Sequence, residues 1–435
     1  VKIAAGAFLA GAGSRLLPAS IPFRFFGAAV AYHLLAWLAL FAGAPGLPRF
    51  AGGLGWTLAA LHLTTLGVLV MVAIGASLQL LPVATRRPLG SHRWPALIWW
   101  VYTPGVAAVA LGMGIASPSL LASGAIAVFA ALAVYALLLA RNLLGSRGMP
   151  VVVAHGWAAV VSLLVTLATG VSLACTYVGA PALERGTALA LHVAFAAYGF
   201  MGMLSLGLSY ILVPMFALSE APSERHGLIS CSLAVLALAL AGVGAFGFAA
   251  QALRVAAIVI GAAAVAVHLR LMTSALRTGL RRELGRSFKL VRIAWGLLVA
   301  SLALALAVAL DVALDGVPTL FGMTLVAGWL LTFLLGILQR IVPFLASMHA
   351  ARGKGLPPTP SALTDDRSLA IHYFCHLGAL ALLALSIITD NAWVGRAAAG
   401  VGTVGAAFFC GSFAIVIRRM GAGAWAPQAR AAQAP

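Results

Sequence analysis

From His62 to Pro82 the chain reads HLTTLGVLVMVAIGASLQLLP, with no Asp, Glu, Lys or Arg along it. Crossing the roughly 30 Å hydrocarbon core of a bilayer takes about 20 apolar residues of helix, so length and polarity alone make this stretch a membrane span. It has two counterparts. His192 to Pro214 reads HVAFAAYGFMGMLSLGLSYILVP, and Met323 to Pro343 reads MTLVAGWLLTFLLGILQRIVP. Aligned on Pro82, Pro214 and Pro343, each copy has a glycine seven residues earlier (Gly75, Gly207, Gly336) and another fifteen earlier (Gly67, Gly199, Gly328). The prolines stand about 130 residues apart, room for four spans per copy. The repeat therefore predicts three pseudo-symmetric four-helix units.

The composition around these copies has the same character. Of 435 residues 63% are hydrophobic and only 8% charged, with a mean hydropathy of +1.07. So few polar groups cannot cover a water-facing globule, and the fold class is all-α integral membrane. About twelve transmembrane helices can be bracketed, at 22–43, 54–82, 95–116, 118–143, 149–177, 186–217, 227–248, 251–272, 288–314, 317–345, 367–389 and 393–418. The shortest breaks between them fall near Ser117 and Gln251. A membrane β-barrel would show two-residue alternation, which is absent.

The formal net charge of +18 excludes nucleic acid as partner, because the basic residues lie scattered over short loops rather than on one face. They follow even-numbered helices: Arg86, Arg87 and Arg93; Arg141 and Arg147; Arg277, Arg281, Arg282, Arg286 and Lys289; Arg352 and Lys354. Positive charge stays on the cytoplasmic side, which predicts a multi-pass protein of a bacterial-type inner (plasma) membrane with both termini cytoplasmic. The first apolar stretch is already a full span, so no cleavable leader is expected. Residues 1–420 read as a single membrane domain and 421–435, rich in Ala, Pro and Gln, as a disordered cytoplasmic tail.

Glycines eight apart lie within about 80° of each other on a helix. The paired glycine columns thus mark a stripe that something approaches closely, either a neighbouring helix or a flat cofactor. Seven of the ten histidines fall within spans: His33, His62, His155, His192, His268, His372 and His376. Ionisable side chains are costly there and tend to be functional. His62 and His192 sit about two turns in from the non-basic side on matching helices, and Met323 occupies the position of His62 in the third copy. Imidazole and thioether are both axial haem ligands. His372 and His376 lie one turn apart on one helix face, with His155 and His268 at comparable depth, which makes these four candidate ligands for a metal such as copper or zinc. The four cysteines, all within spans, show no paired spacing. No Asp or Glu lies deep in a span, so a carboxylate proton relay has no parts.

A haem-ligand histidine on helix 2, followed by glycines and a Pro-terminated stretch within twelve helices, resembles the catalytic subunit of haem-copper oxidases and nitric oxide reductases. The pattern His62, Gly67, Gly75, Pro82 is similar still more closely to that of the NnrS family, haem- and copper-containing membrane proteins linked to nitric oxide metabolism. A second NnrS pattern is met in part by Gly328, Gly336 and Arg340, with Met323 where the family has histidine. The resemblance implies haem b, with copper as a second candidate, and pairs His62 with either Met323 or His192. It implies electron transfer or nitric oxide-related chemistry with a membrane or periplasmic redox partner. The competing expectation is a twelve-helix secondary transporter without cofactor. Against it stand threefold rather than twofold repetition and the lack of evident broken segments at mid-span.

Overall fold

In the computed structural model the described residues are 17–421 without Arg147, Pro181, Arg282 and 351–357; Arg352, Lys354 and the tail from 422 onward lie outside them. Among the described residues twelve helices are long and apolar enough to cross a membrane. We number them α1 (Ser20–Gly46), α2 (Trp56–Ala84), α3 (Arg93–Gly114), α4 (Pro118–Leu143), α5 (Pro150–Thr176), α6 (Arg185–Ala217), α7 (Glu224–Ala245), α8 (Ala250–Thr278), α9 (Gly285–Ala309), α10 (Val317–Ala350), α11 (Asp366–Ile388) and α12 (Ala392–Gly421). They hold 22 to 34 residues, about 33–51 Å at 1.5 Å per residue. The protein is an all-α integral membrane protein.

The short breaks near Ser117 and Gln251 are real turns. Ala116 ends the first in the left-handed region (φ 53°), and the second uses Gly247 (φ 88°) and Ala249 (φ 41°), conformations a continuous helix cannot contain. Helices α7 and α9 end earlier than the hydrophobic pattern predicts, at Ala245 and Ala309. Apolar Phe246, Phe248, Val312 and Leu314 follow them as exposed turn residues, because lipid-facing loops tolerate apolar side chains that extend the hydropathy signal past the helix end.

Helices α2, α6 and α10 occupy the middle. From the first glycine column onward their side chains are closed off: 67–85 throughout, 199–217 apart from Ser205, and 328–343 apart from Arg340. The glycine stripe is filled by the preceding helix in each case. A Cβ on Gly67 would come within 2.8 Å of Tyr32 and one on Gly75 within 2.9 Å of Phe25, both on α1. On Gly199 and Gly207 it would meet Ser162 (2.6 Å) and His155 (2.6 Å) on α5, and on Gly328 and Gly336 it would meet Leu297 (3.5 Å) and Ser287 (2.7 Å) on α9. Of the two partners expected for the stripe, the neighbouring helix takes it at Gly67, Gly75, Gly199, Gly207 and Gly336, whereas at Gly328 a Cβ would make only ordinary contacts.

Each central helix also departs from α-geometry at the same place. Leu63–Val70 in α2, Ala194–Gly202 in α6 and Thr324–Leu331 in α10 are π-helical. The spans stay continuous through these stretches. π-stretches widen the turn, leave carbonyls short of partners and concentrate at functional sites. Hydroxyls take up part of the shortfall: Thr64 and Thr65 donate to the Ala60 and Leu61 carbonyls (2.9 and 3.0 Å) and Thr332 to that of Ala327 (3.0 Å). The wide turns meet at the bundle centre, where Trp329 of α10 stacks on Tyr198 of α6 (5.6 Å, 29°).

Candidate haem and imidazole sites

Immediately before the π-stretches of α2 and α10 stand His62 and Met323, and two residues before that of α6 stands His192. On the non-basic side of the glycines the central helices are not closed: 64–66, 192–196 and 319–323 are half-exposed, as are His62, Val326 and Ala327.

His62 Nδ1 lies 3.0 Å from the Leu58 carbonyl. A carbonyl only accepts, so Nδ1 carries the proton and Nε2 of the neutral ring keeps a free lone pair. His192 reaches the same state by another route. Thr169 of α5 donates its hydroxyl proton to the Val165 carbonyl (2.8 Å) and therefore accepts from His192 Nδ1 at 3.3 Å. Gly170 keeps this side open, since a Cβ there would come within 3.2 Å of His192 Cε1. Each is fixed through Nδ1 and presents Nε2, the arrangement of an imidazole oriented to ligate a metal. Met323, by contrast, packs against the cluster containing Trp37, Ala379 and Leu383. The donor set, two neutral imidazoles each with Nε2 unengaged, is chemically suited to haem iron.

Just outside the span, Glu184 caps α6. Its carboxylate accepts from the N–H groups of Gly186 and Thr187, both at 2.7 Å, and these bonds, Gly186 first, hold its pKa below the ordinary Glu value.

A second group is sealed. His33 of α1 and His372 and His376 of α11 are buried together with Phe409 of α12; ring centres are 5.9 Å apart for His33–His372 and 5.8 Å for His372–His376. A third comprises His155 of α5 and His268 of α8 on either side of Tyr210, at 5.5 and 5.3 Å. The four histidines expected to share one metal are thus divided between two places. Helix α11 pairs with α12, which in turn packs on α1, whereas His155 and His268 line the α5–α6–α8 side. Among the described residues no set of three or more His, Cys, Asp or Glu side chains could hold a metal ion. The four cysteines are free thiols, as their spacing predicts.

Sequence reasoning passed over Thr169, Thr332 and Trp37, which fix the imidazoles, because a lone threonine or tryptophan in a span carries no signature. His33 was visible as an intramembrane histidine, but nothing in its spacing ties it to His372.

No protein-family model matches the chain, and no curated protein does. Among solved structures, a chain of a haem-copper terminal oxidase dimer determined by cryo-electron microscopy is similar with a TM-score of 0.57, over 94% of this chain and 85% of that one, at 12% identity. At that identity the likeness is one of fold: this protein has the twelve-helix plan of a haem-copper oxidase chain.

Proposed function

We propose that the chain is an integral membrane haem b protein of the NnrS kind, with the haem held by His62 and His192 between α2 and α6, and that it works in electron transfer or nitric oxide-related metabolism. One observation carries this reading: both imidazoles are anchored at Nδ1 and offer a free Nε2 in the part of the central helices that is not closed. His62 and His192 would hold the haem, which would supply one-electron chemistry and the capacity to bind a diatomic ligand. The chain's own residues do the rest. The Leu58 carbonyl and the Thr169 hydroxyl hold the ring planes and the tautomers.

The recurrence of glycine columns, π-stretches and terminal prolines in α2, α6 and α10 supports three four-helix units. The basic loops support a cytoplasmic location for the ends of these helices, which leaves His62 and His192 toward the periplasm of a bacterial inner membrane, within reach of a redox partner on that side. His62→Ala tests the assignment. The expected result is membrane-inserted protein with haem content reduced by half or more; unchanged haem stoichiometry and spectrum would sink it.

A further inference from the structure

The sealed group of His33, His372 and His376 can be read atom by atom, because each ring has one nitrogen whose role its partner dictates. Trp37 Nε1–H donates to His33 Nε2 at 2.8 Å. Indole N–H only donates, so that nitrogen holds a lone pair and His33 Nδ1 carries the proton. His372 Nδ1 lies 3.1 Å from the Gly405 carbonyl and must donate to it, which leaves Nε2 as a lone pair. With its hydroxyl proton on the Ala327 carbonyl (3.0 Å), Thr332 accepts at 2.8 Å from His376 Nε2–H, which makes His376 Nδ1 the lone pair. The three remaining atoms, His33 Nδ1, His372 Nε2 and His376 Nδ1, are buried without a partner. The residues are only 2%, 1% and 2% exposed.

Buried polar atoms of this kind are satisfied by something, and here the demand is specific: one N–H to be accepted and two lone pairs to be donated to. We propose that His33, His372 and His376 bind one water molecule, whose oxygen accepts from His33 Nδ1–H and whose two hydrogens go to His372 Nε2 and His376 Nδ1. Water makes about three hydrogen bonds in such sites, and it is neutral, which a site with no carboxylate nearby requires. A metal cation suits the two lone pairs but faces the His33 N–H, whose proton repels it. That proton cannot move to Nε2 while Trp37 donates there. The pair His372 and His376 is therefore a water site and not the metal site that its one-turn spacing suggests, and the bound water ties α1 to α11 beside the π-stretch of α10.

Magic-angle-spinning NMR of the full-length protein in lipid, with 15N-histidine, tests this on the wild type. The expected spectrum has neutral rings protonated at Nδ1 for His33 and His372 and at Nε2 for His376, with a water cross-peak to all three. Addition of Cu(I) or Zn(II) should move none of these signals. In His376→Phe the water cross-peaks of His33 and His372 should be lost, while His155→Phe should keep them. A doubly protonated ring at neutral pH, absence of the water cross-peak in the wild type, or one equivalent of metal shifting His372 Nε2 and His376 Nδ1 together would each overturn the proposal. The wild-type spectrum decides even where a variant fails to fold.

Discussion

His62 with His192 and His33 with His372 and His376 border the same set of central helices and are built by the same means. In both groups a backbone carbonyl, a threonine hydroxyl or an indole fixes one ring nitrogen and frees the other. What differs is space. The first pair is half-exposed within the bundle, whereas the second group is closed in on every side. A free nitrogen on a half-buried ring can be reached by something large; three on fully buried rings can be met only by something small. Tautomer control alone does not tell a cofactor site from a packed polar core, and the neighbouring volume does.

The largest expected effect breaks the closed half directly. Gly207→Leu places side-chain atoms where a Cβ already lies 2.6 Å from His155 Cβ, and overpacking of that kind costs about 3 kcal/mol or more. Gly322→Leu, in the open half, meets nothing within 4 Å and should cost under about 0.5 kcal/mol. Thermal unfolding of the two variants in detergent measures both. Equal tolerance would mean that the two halves do not differ in packing.

A second pair of variants sharpens the open half. In His192→Ala the haem should stay on His62 with one position free, so that carbon monoxide shifts its Soret band where the wild type shows no shift. Met323→Leu should leave potential and spectrum as they were, since Met323 packs toward Trp37 and Leu383. A change of potential in Met323→Leu together with none in His192→Ala would make the thioether the ligand instead.

The smallest effect concerns the entry to α6, eight residues before His192. The Glu184 carboxylate has its pKa depressed by the Gly186 and Thr187 N–H groups. Its contribution to stability is therefore present above the ordinary Glu pKa and lost as pH falls through the lower folded value. Glu184→Gln should match the wild type less closely at neutral pH than at acid pH, a small convergence of melting temperatures. A difference that grows on acidification would contradict the cap.

Much of this was legible from residue order, for a reason specific to membranes: a span must satisfy its backbone internally and is therefore a long apolar helix. The bracket 118–143 coincides with Pro118–Leu143, and that for α6 differs from Arg185–Ala217 by one residue. The glycine columns were equally visible, but their direction was not. Spacing says that Gly67 and Gly75 share a face; only the packed bundle puts Tyr32 and Phe25 against it. The π-stretches were hidden because the wide turn is imposed by contacts at the bundle centre and not by propensity. Depth alone did not show how His155, His268, His372 and His376 group: residues at one level of a membrane can lie on different sides of the bundle, and these form two separate pairs.

The central claim is that His62 and His192 hold a haem. The most direct measurement is the reduced-minus-oxidised absorption spectrum and haem content of the purified wild-type protein. The account predicts about one haem b per chain with the sharp α-band of a low-spin, bis-imidazole centre. A colourless protein, folded and membrane-inserted, would contradict it and leave the transporter reading as the better one.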